Sequence, residues 1–227
     1  MKIKNPLINV GLACLVFGQP IQAQQKASDE SEFQNTRARA ENGEADAQFI
    51  LGYYYAAGLG TAKDEGEAVK WYRKAAEQGL AGAQFNLGCC YDNGDGVAKD
   101  AVEAVKWYRK AAEQELAQAQ YNLGSCYKRG EGVKQDFKEA ANWYRRAAEQ
   151  GYGDAQFNLG LCHIRGEGVT KDDVEGYKWL LLSSEHGHTQ AGSVAAKLEA
   201  ALPPEKIAEG KRRVSQWNAR HKKPPAN

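Results

Sequence analysis

Ser125-Cys126-Tyr127-Lys128 is the stretch whose residue types and spacing come nearest to spelling out a reaction. A serine three residues before a lysine on a helix brings the amine toward the hydroxyl, the arrangement that turns serine into a nucleophile. The companion patterns S-D-N and K-T-G are absent, however, and Ser125 falls in mid-helix without oxyanion donors beside it. No catalytic role is therefore expected. The cysteines beyond the N-terminus (Cys89, Cys90, Cys126 and Cys162) are even in number, which invites disulfides. Cys90, Cys126 and Cys162 nevertheless stand at intervals of 36 residues. Equivalent positions of stacked repeats lie on the order of 10 Å apart, beyond the roughly 7 Å a disulfide spans. Free, buried thiols are expected. His186-Gly187-His188 follows a helix end with no carboxylate or thiolate to complete a metal site, and His163 and His221 stand apart from it. That pair reads as surface loop, and neither metal nor cofactor is expected.

The elements that must position these residues come from an internal repeat. Gln48, Gln84, Gln120 and Gln156 are spaced by 36 residues, as are Gly52, Gly88, Gly124 and Gly160, and Trp71, Trp107, Trp143 and Trp179. No insertion breaks the register, so the fold must be an array of one supersecondary unit. Each unit reads as two helices. In the first copy, Ala47, Gln48, Leu51, Gly52 and Tyr55 form one stripe, and Gly58 ends the helix in a conformation that favours glycine. Asp64, Asp100, Asp136 and Asp172 then cap the second helices. Glu67, Glu103, Glu139 and Glu175 stand three residues on, where a carboxylate can reach back to the N–H of the capping residue. Ala68, Trp71, Tyr72, Ala75 and Ala76 form the apolar face, and Gly79 closes the copy. Glu115 replaces that glycine in the second copy, which predicts a strained turn and a higher melting temperature for Glu115→Gly.

The ends fit a stack. Residues 1–23 read as a secretory signal. Lys2 and Lys4 precede the mainly apolar Leu7–Phe17, too short to span a bilayer, and Ala23 sits at the cleavage position. Cys14 is not expected to be lipidated, because Leu15-Val16-Phe17 continues the apolar run past it. A leader and half-repeat helix then occupies 24–43. Four repeats span 44–79, 80–115, 116–151 and 152–187. A degenerate half-repeat and capping helix fill 188–221, and a tail 222–227. Irregular ends shield the apolar faces of a stack. The chain carries a formal charge of +1, or −1 once Lys2 and Lys4 leave with the signal, which argues against nucleic acid as a partner. Seven Lys or Arg against two Glu in 205–227 leave a solvated basic face. Lys211, Arg212 and Arg213 are its candidate contact to an anionic surface.

The outline L-G-x-x-Y-x-x-G-x-G-V…D-x-x-E-A-V-K-W-Y-R-K-A-A-E-Q, seen in Leu87–Gln114, resembles the Sel-1-like repeat, a relative of the tetratricopeptide repeat. The resemblance covers 44–187, and about 30–221 with the half-repeats. It implies an all-α, right-handed superhelical solenoid of antiparallel helix pairs with a concave groove. It also implies an adaptor that binds proteins or peptides. A periplasmic or secreted monomer is expected. Some cysteine-rich relatives have been proposed to bind β-lactams, so weak β-lactam or cell-wall-ligand binding or hydrolysis through Ser125 and Lys128 stands as the alternative.

Advancing 100° per residue from Leu51 puts Phe49 and Tyr53 on the face opposite the packed stripe. Their equivalents in later copies are Phe85 and Cys89, Tyr121 and Ser125, and Phe157 and Leu161; Asp92, Lys128 and Ile164 lie one turn further on. In the tetratricopeptide superhelix this face lines the groove. The aromatic row repeats and is expected mainly to pack, whereas the positions that change in every copy are those able to discriminate a ligand.

Overall fold

The computed structural model describes residues 21–221, with side chains from residue 30. The expected signal up to residue 20, Cys14 within it, and the tail 222–227 lie outside the described residues. The chain divides into two compact units, Met1–Gln78 and Gly79–Asn227. Every described element is a helix, and no described helix is long and apolar enough to cross a membrane.

The first unit holds α1 (Ile21–Glu41), α2 (Ala45–Ala57) and α3 (Glu65–Glu77), each packed on the next. Phe33 and Ala40 of α1 join Ala47, Leu51 and Trp71 in one buried cluster, so the leading half-repeat covers the apolar side of the first full pair. The second unit holds α4 (Ala81–Asn93), α5 (Ala101–Glu113), α6 (Ala117–Arg129), α7 (Phe137–Glu149), α8 (Gly153–Arg165), α9 (Asp173–Glu185), α10 (Ala191–Ala201) and α11 (Pro204–His221). Its helices pack in series from α4 to α9, and α9 then receives both α10 and α11.

The loops between paired helices are built from two glycines and an aspartate. Gly94, Gly130 and Gly166 end the first helices in the left-handed region. Gly132 and Gly168, the second glycines of G-x-G, also have positive φ. A methyl group on Gly132 would lie 2.0 Å from the Ala101 carbonyl oxygen, and one on Gly168 1.9 Å from that of Phe137. Each such glycine is thus pressed against the start of the preceding second helix.

Asp64, Asp100, Asp136 and Asp172 cap as expected, their carboxylates accepting N–H bonds of 2.9–3.0 Å. The reciprocal half of the capping box does not form. The N–H of Asp100, Asp136 and Asp172 donates instead to the carbonyl of Tyr91, Tyr127 or His163, at 2.8–3.0 Å, closing the loop onto the first helix. With that donor used, Glu67, Glu103 and Glu175 turn to Lys70, Lys106 and Lys178 one turn on.

The repeated glutamine joins successive copies. Gln120 is fully buried; its amide donates to Ala112 O at 3.1 Å and accepts from Gln150 at 2.8 Å. Gln156 donates to Ala148 O, and His186 takes the place of the second glutamine at 2.8 Å. A buried amide with both ends satisfied fixes register without an unpaired polar group. Glu115 does adopt positive φ, 62°. It also has partners invisible in the sequence: Gln120 donates to it at 2.8 Å and Arg146 pairs with it. Hydrogen bonds from Arg146 and then Gln120 hold its carboxyl below the ordinary range.

These partners change the outcome expected for Glu115→Gly. Relief of the left-handed strain gains about 1 kcal/mol, and loss of an exposed ion pair costs up to about 1 kcal/mol, so the variant should melt close to the wild type at neutral pH. A depressed carboxyl contributes stability above its unfolded pKa and loses it as the pH falls through its folded value. The variant should therefore become the more stable protein as pH drops below the carboxylate range. Paired thermal melts across that range check this; a difference independent of pH contradicts it.

Candidate functional site

Leu87, Leu123 and Leu159 are fully buried, and Gly88 and Gly124 lie under tyrosine rings of the paired second helices. A methyl group on Gly88 would lie 2.7 Å from the Tyr108 ring, and one on Gly124 2.9 Å from that of Tyr144. With these residues spent on packing, the other face of the first helices is left for a ligand. In the second unit it carries Phe85, Cys89 and Asp92 on α4, Tyr121, Ser125 and Lys128 on α6, and Phe157, Leu161 and Ile164 on α8. All are half-buried except Ser125, which is 7% exposed. In the first unit Phe49 is half-buried and Tyr53 is 52% exposed.

The aromatic row is chiefly packing. Phe49 meets Tyr72 at 5.9 Å between ring centroids, Phe85 meets Tyr108 at 5.9 Å and Tyr121 meets Tyr144 at 5.8 Å. Phe157 stacks on His188 at 4.1 Å. Phe157 and Ile164 also pack on a core of Tyr177, Leu180 and Ala195. His188 is thus a packed residue rather than a loop ornament, and His186 lies edge-on to Trp217 at 5.5 Å.

Reading the sequence missed the hydroxyls of the second-helix tyrosines. Tyr108 donates to Asp92 at 3.4 Å and lies 3.5 Å from Cys89 Sγ, while Tyr144 shares a hydrogen bond of 3.1 Å with Ser125. The sequence carries the signal: a tyrosine stands 20 residues after the repeated glycine in the first three copies, and Leu180 takes that position in the fourth. Burial pushes the Tyr144 phenol up to about 12, so it cannot serve as a base at neutral pH. Ser125 and Lys128 are not joined by a hydrogen bond, and Ser125 is held by the phenol instead. The pair the alternative needs is not assembled.

None of these four cysteines forms a disulfide; Cys126 and Cys162 are buried and Cys89 and Cys90 half-buried. Burial raises the thiols of Cys89 and Cys162, and pushes that of Cys126 up to about 11. A raised thiol disfavours the thiolate, the nucleophilic form, at Cys89, Cys126 and Cys162. Among the described residues no group of His, Cys, Asp or Glu is arranged to hold a metal ion. The basic triad of α11 is engaged within the chain. Lys211 pairs with Glu199 at 2.8 Å, Arg212 with Glu209 at 2.7 Å, and Arg213 with Glu175 at 2.8 Å.

Helix pairs with a 36-residue period, buried repeat glutamines and a variable first-helix face define a repeat protein of the tetratricopeptide-like class. The Sel1 repeat profile matches four contiguous segments, residues 45–80, 81–116, 117–152 and 153–188. The chain belongs to the Sel1 repeat family, whose members are in general protein–protein interaction scaffolds. It is similar to a protective antigen with an SLR fold, present in uropathogenic Escherichia coli strains. Identity is 45% with a TM-score of 0.69, covering 70% of this chain and 34% of that one. It is also similar to a Sel1 repeat protein from Oxalobacter formigenes, with 35% identity and a TM-score of 0.69, covering 75% of this chain and 49% of that one. This chain therefore spans a third to a half of the length of these relatives. No curated protein matches it significantly.

Proposed function

We propose that this chain is an exported adaptor, periplasmic or secreted, that holds a peptide or partner protein on the face of its first helices. One observation carries the reading. The repeated Gln, Leu and Trp of each copy are buried in packing, while Cys89 and Leu161, and likewise Asp92 and Lys128, differ at equivalent half-buried positions of that face. Lys128 brings an ammonium with no acidic partner among the described residues, and Asp92 a half-buried carboxylate from the neighbouring copy. An ordered pattern of charge on a rigid scaffold selects a partner chiefly by complementarity. Export is supported by the charged, apolar and small-residue pattern of residues 1–23.

The test exchanges the two charges. Asp92→Lys with Lys128→Glu keeps the net charge, and half-exposed substitutions should shift stability by less than about 1 kcal/mol. Affinity capture from an envelope fraction should recover a partner with the wild type and lose it with the exchanged variant, their melting curves staying close. Equal recovery of the same partner by both removes this face as the binding site.

A further inference from the structure

A second site lies away from that face, where α7, the loop before α9 and α11 meet around a cavity of about 790 Å3. Lys138, Asn142 and Arg145 line it from one side of α7, and Lys206 reaches it from α11. His163 closes it from α8, its Nδ1 buried with no hydrogen-bond partner. Val169 and Val174 add apolar wall. None of the candidate groove residues lines it.

Its charges are unevenly spent. Lys171 lies 4.0 Å from Asp173, and Asp172 is used twice, capping α9 and receiving Arg213 at 3.5 Å. The carboxylates of the cavity are therefore occupied by this chain's own cations and amides. Lys138, Arg145 and Lys206 form no ion pair among the described residues. Three cations around an open concavity, with an amide between two of them, make a surface short of acceptors.

We propose that this cavity receives an acidic peptide segment, its carboxylates taken by Lys138, Arg145 and Lys206. The volume is that of a pocket for a few side chains. A guanidinium favours a planar carboxylate through paired N–H bonds. A phosphate group fits less well. Anion sites at helix starts depend on free backbone N–H groups, and here those of Val174 and Glu175 are already bonded to Asp172. The proposal is independent of the first-helix face, and Lys128→Glu should leave it untouched.

Titration of the full chain with a labelled, end-capped peptide of alternating Glu and Gly tests it, with the Gln counterpart and inorganic pyrophosphate as comparisons. The Glu peptide should bind with an affinity that falls as salt rises, and the Gln peptide should bind at least about tenfold more weakly. Lys138→Gln with Arg145→Gln should weaken the Glu peptide by about tenfold or more, whereas Lys99→Gln with Lys197→Gln, equal in charge change, should not. Lys206→Gln, on the exposed start of α11, provides a separate variant should the first pair melt early, and should weaken binding about threefold. Equal binding of the Gln peptide overturns the proposal, as does equal loss in the control pair, since binding would then follow net charge alone. Tighter binding of pyrophosphate than of the peptide makes this a phosphate site and also overturns it. So does the absence of measurable binding by the Glu peptide.

Discussion

Trp107→Ala lowers unfolding stability by roughly 3–5 kcal/mol, the usual cost of removing a buried indole. Trp107 is 4% exposed, and its equivalents Trp143 and Trp179 are buried as well. Lys110 lies over the Trp107 ring at 4.0 Å, so the substitution also removes a cation–π contact. The indole N–H of Trp107 has no hydrogen-bond partner, so no hydrogen bond adds to the loss of packing and of the cation–π contact. A repeat array is stabilised by its units and the contacts between neighbours, so the damage should spread into adjoining repeats. Urea denaturation followed by circular dichroism checks the value. A loss below about 1 kcal/mol would mean that the tryptophan row does not hold the array together.

Gly132→Ala costs about 3 kcal/mol or more, because a collision adds to a conformational penalty. The left-handed backbone at φ 68° disfavours any side chain, and the new methyl group would meet the Ala101 carbonyl at 2.0 Å. Gly187→Ala separates the two effects. Its φ is 88°, but nothing lies within 4 Å of the added carbon, so it should cost only about 1 kcal/mol. Denaturation of both variants under one set of conditions measures the gap. Equal losses would show that the G-x-G loop yields freely and does not lock one repeat onto the preceding helix.

Much of this scaffold is legible in the residues because each repeat answers the same local physics. The aspartate caps, the glycines with positive φ and the tryptophan spacing need no tertiary knowledge. What escaped depends on contacts between elements. Glu67 and Glu103 stand at capping-box spacing, yet the loop fold takes the N–H they would have used in copies where the first helix supplies a carbonyl. Ser125 falls on the ligand face by helical angle, but Tyr144 from the paired helix buries it. The last copy departs from the pattern for a reason visible only in the packing. Tyr177 stands where Val69, Val105 and Ala141 precede it, fully buried, its ring against Gly210 and its hydroxyl on Glu199. Gly176 replaces the alanine before it, where a methyl group would lie 2.6 Å from Ile164. These changes seat α10 and α11. Arg213 joins the same seating, paired with Glu175 of α9 and Glu209 of its own helix.

A photo-activated cross-linker at position 128, compared with one at position 106, tests the central claim most directly. Lys128 lies on the proposed binding face of α6, and Lys106 is an exposed residue of the second helix α5, paired with Glu103. Incubated with the envelope fraction and irradiated, the protein should join its captured partner from position 128 and not from position 106. Cross-linking from 106 alone, or equally from both, would contradict binding on the first-helix face.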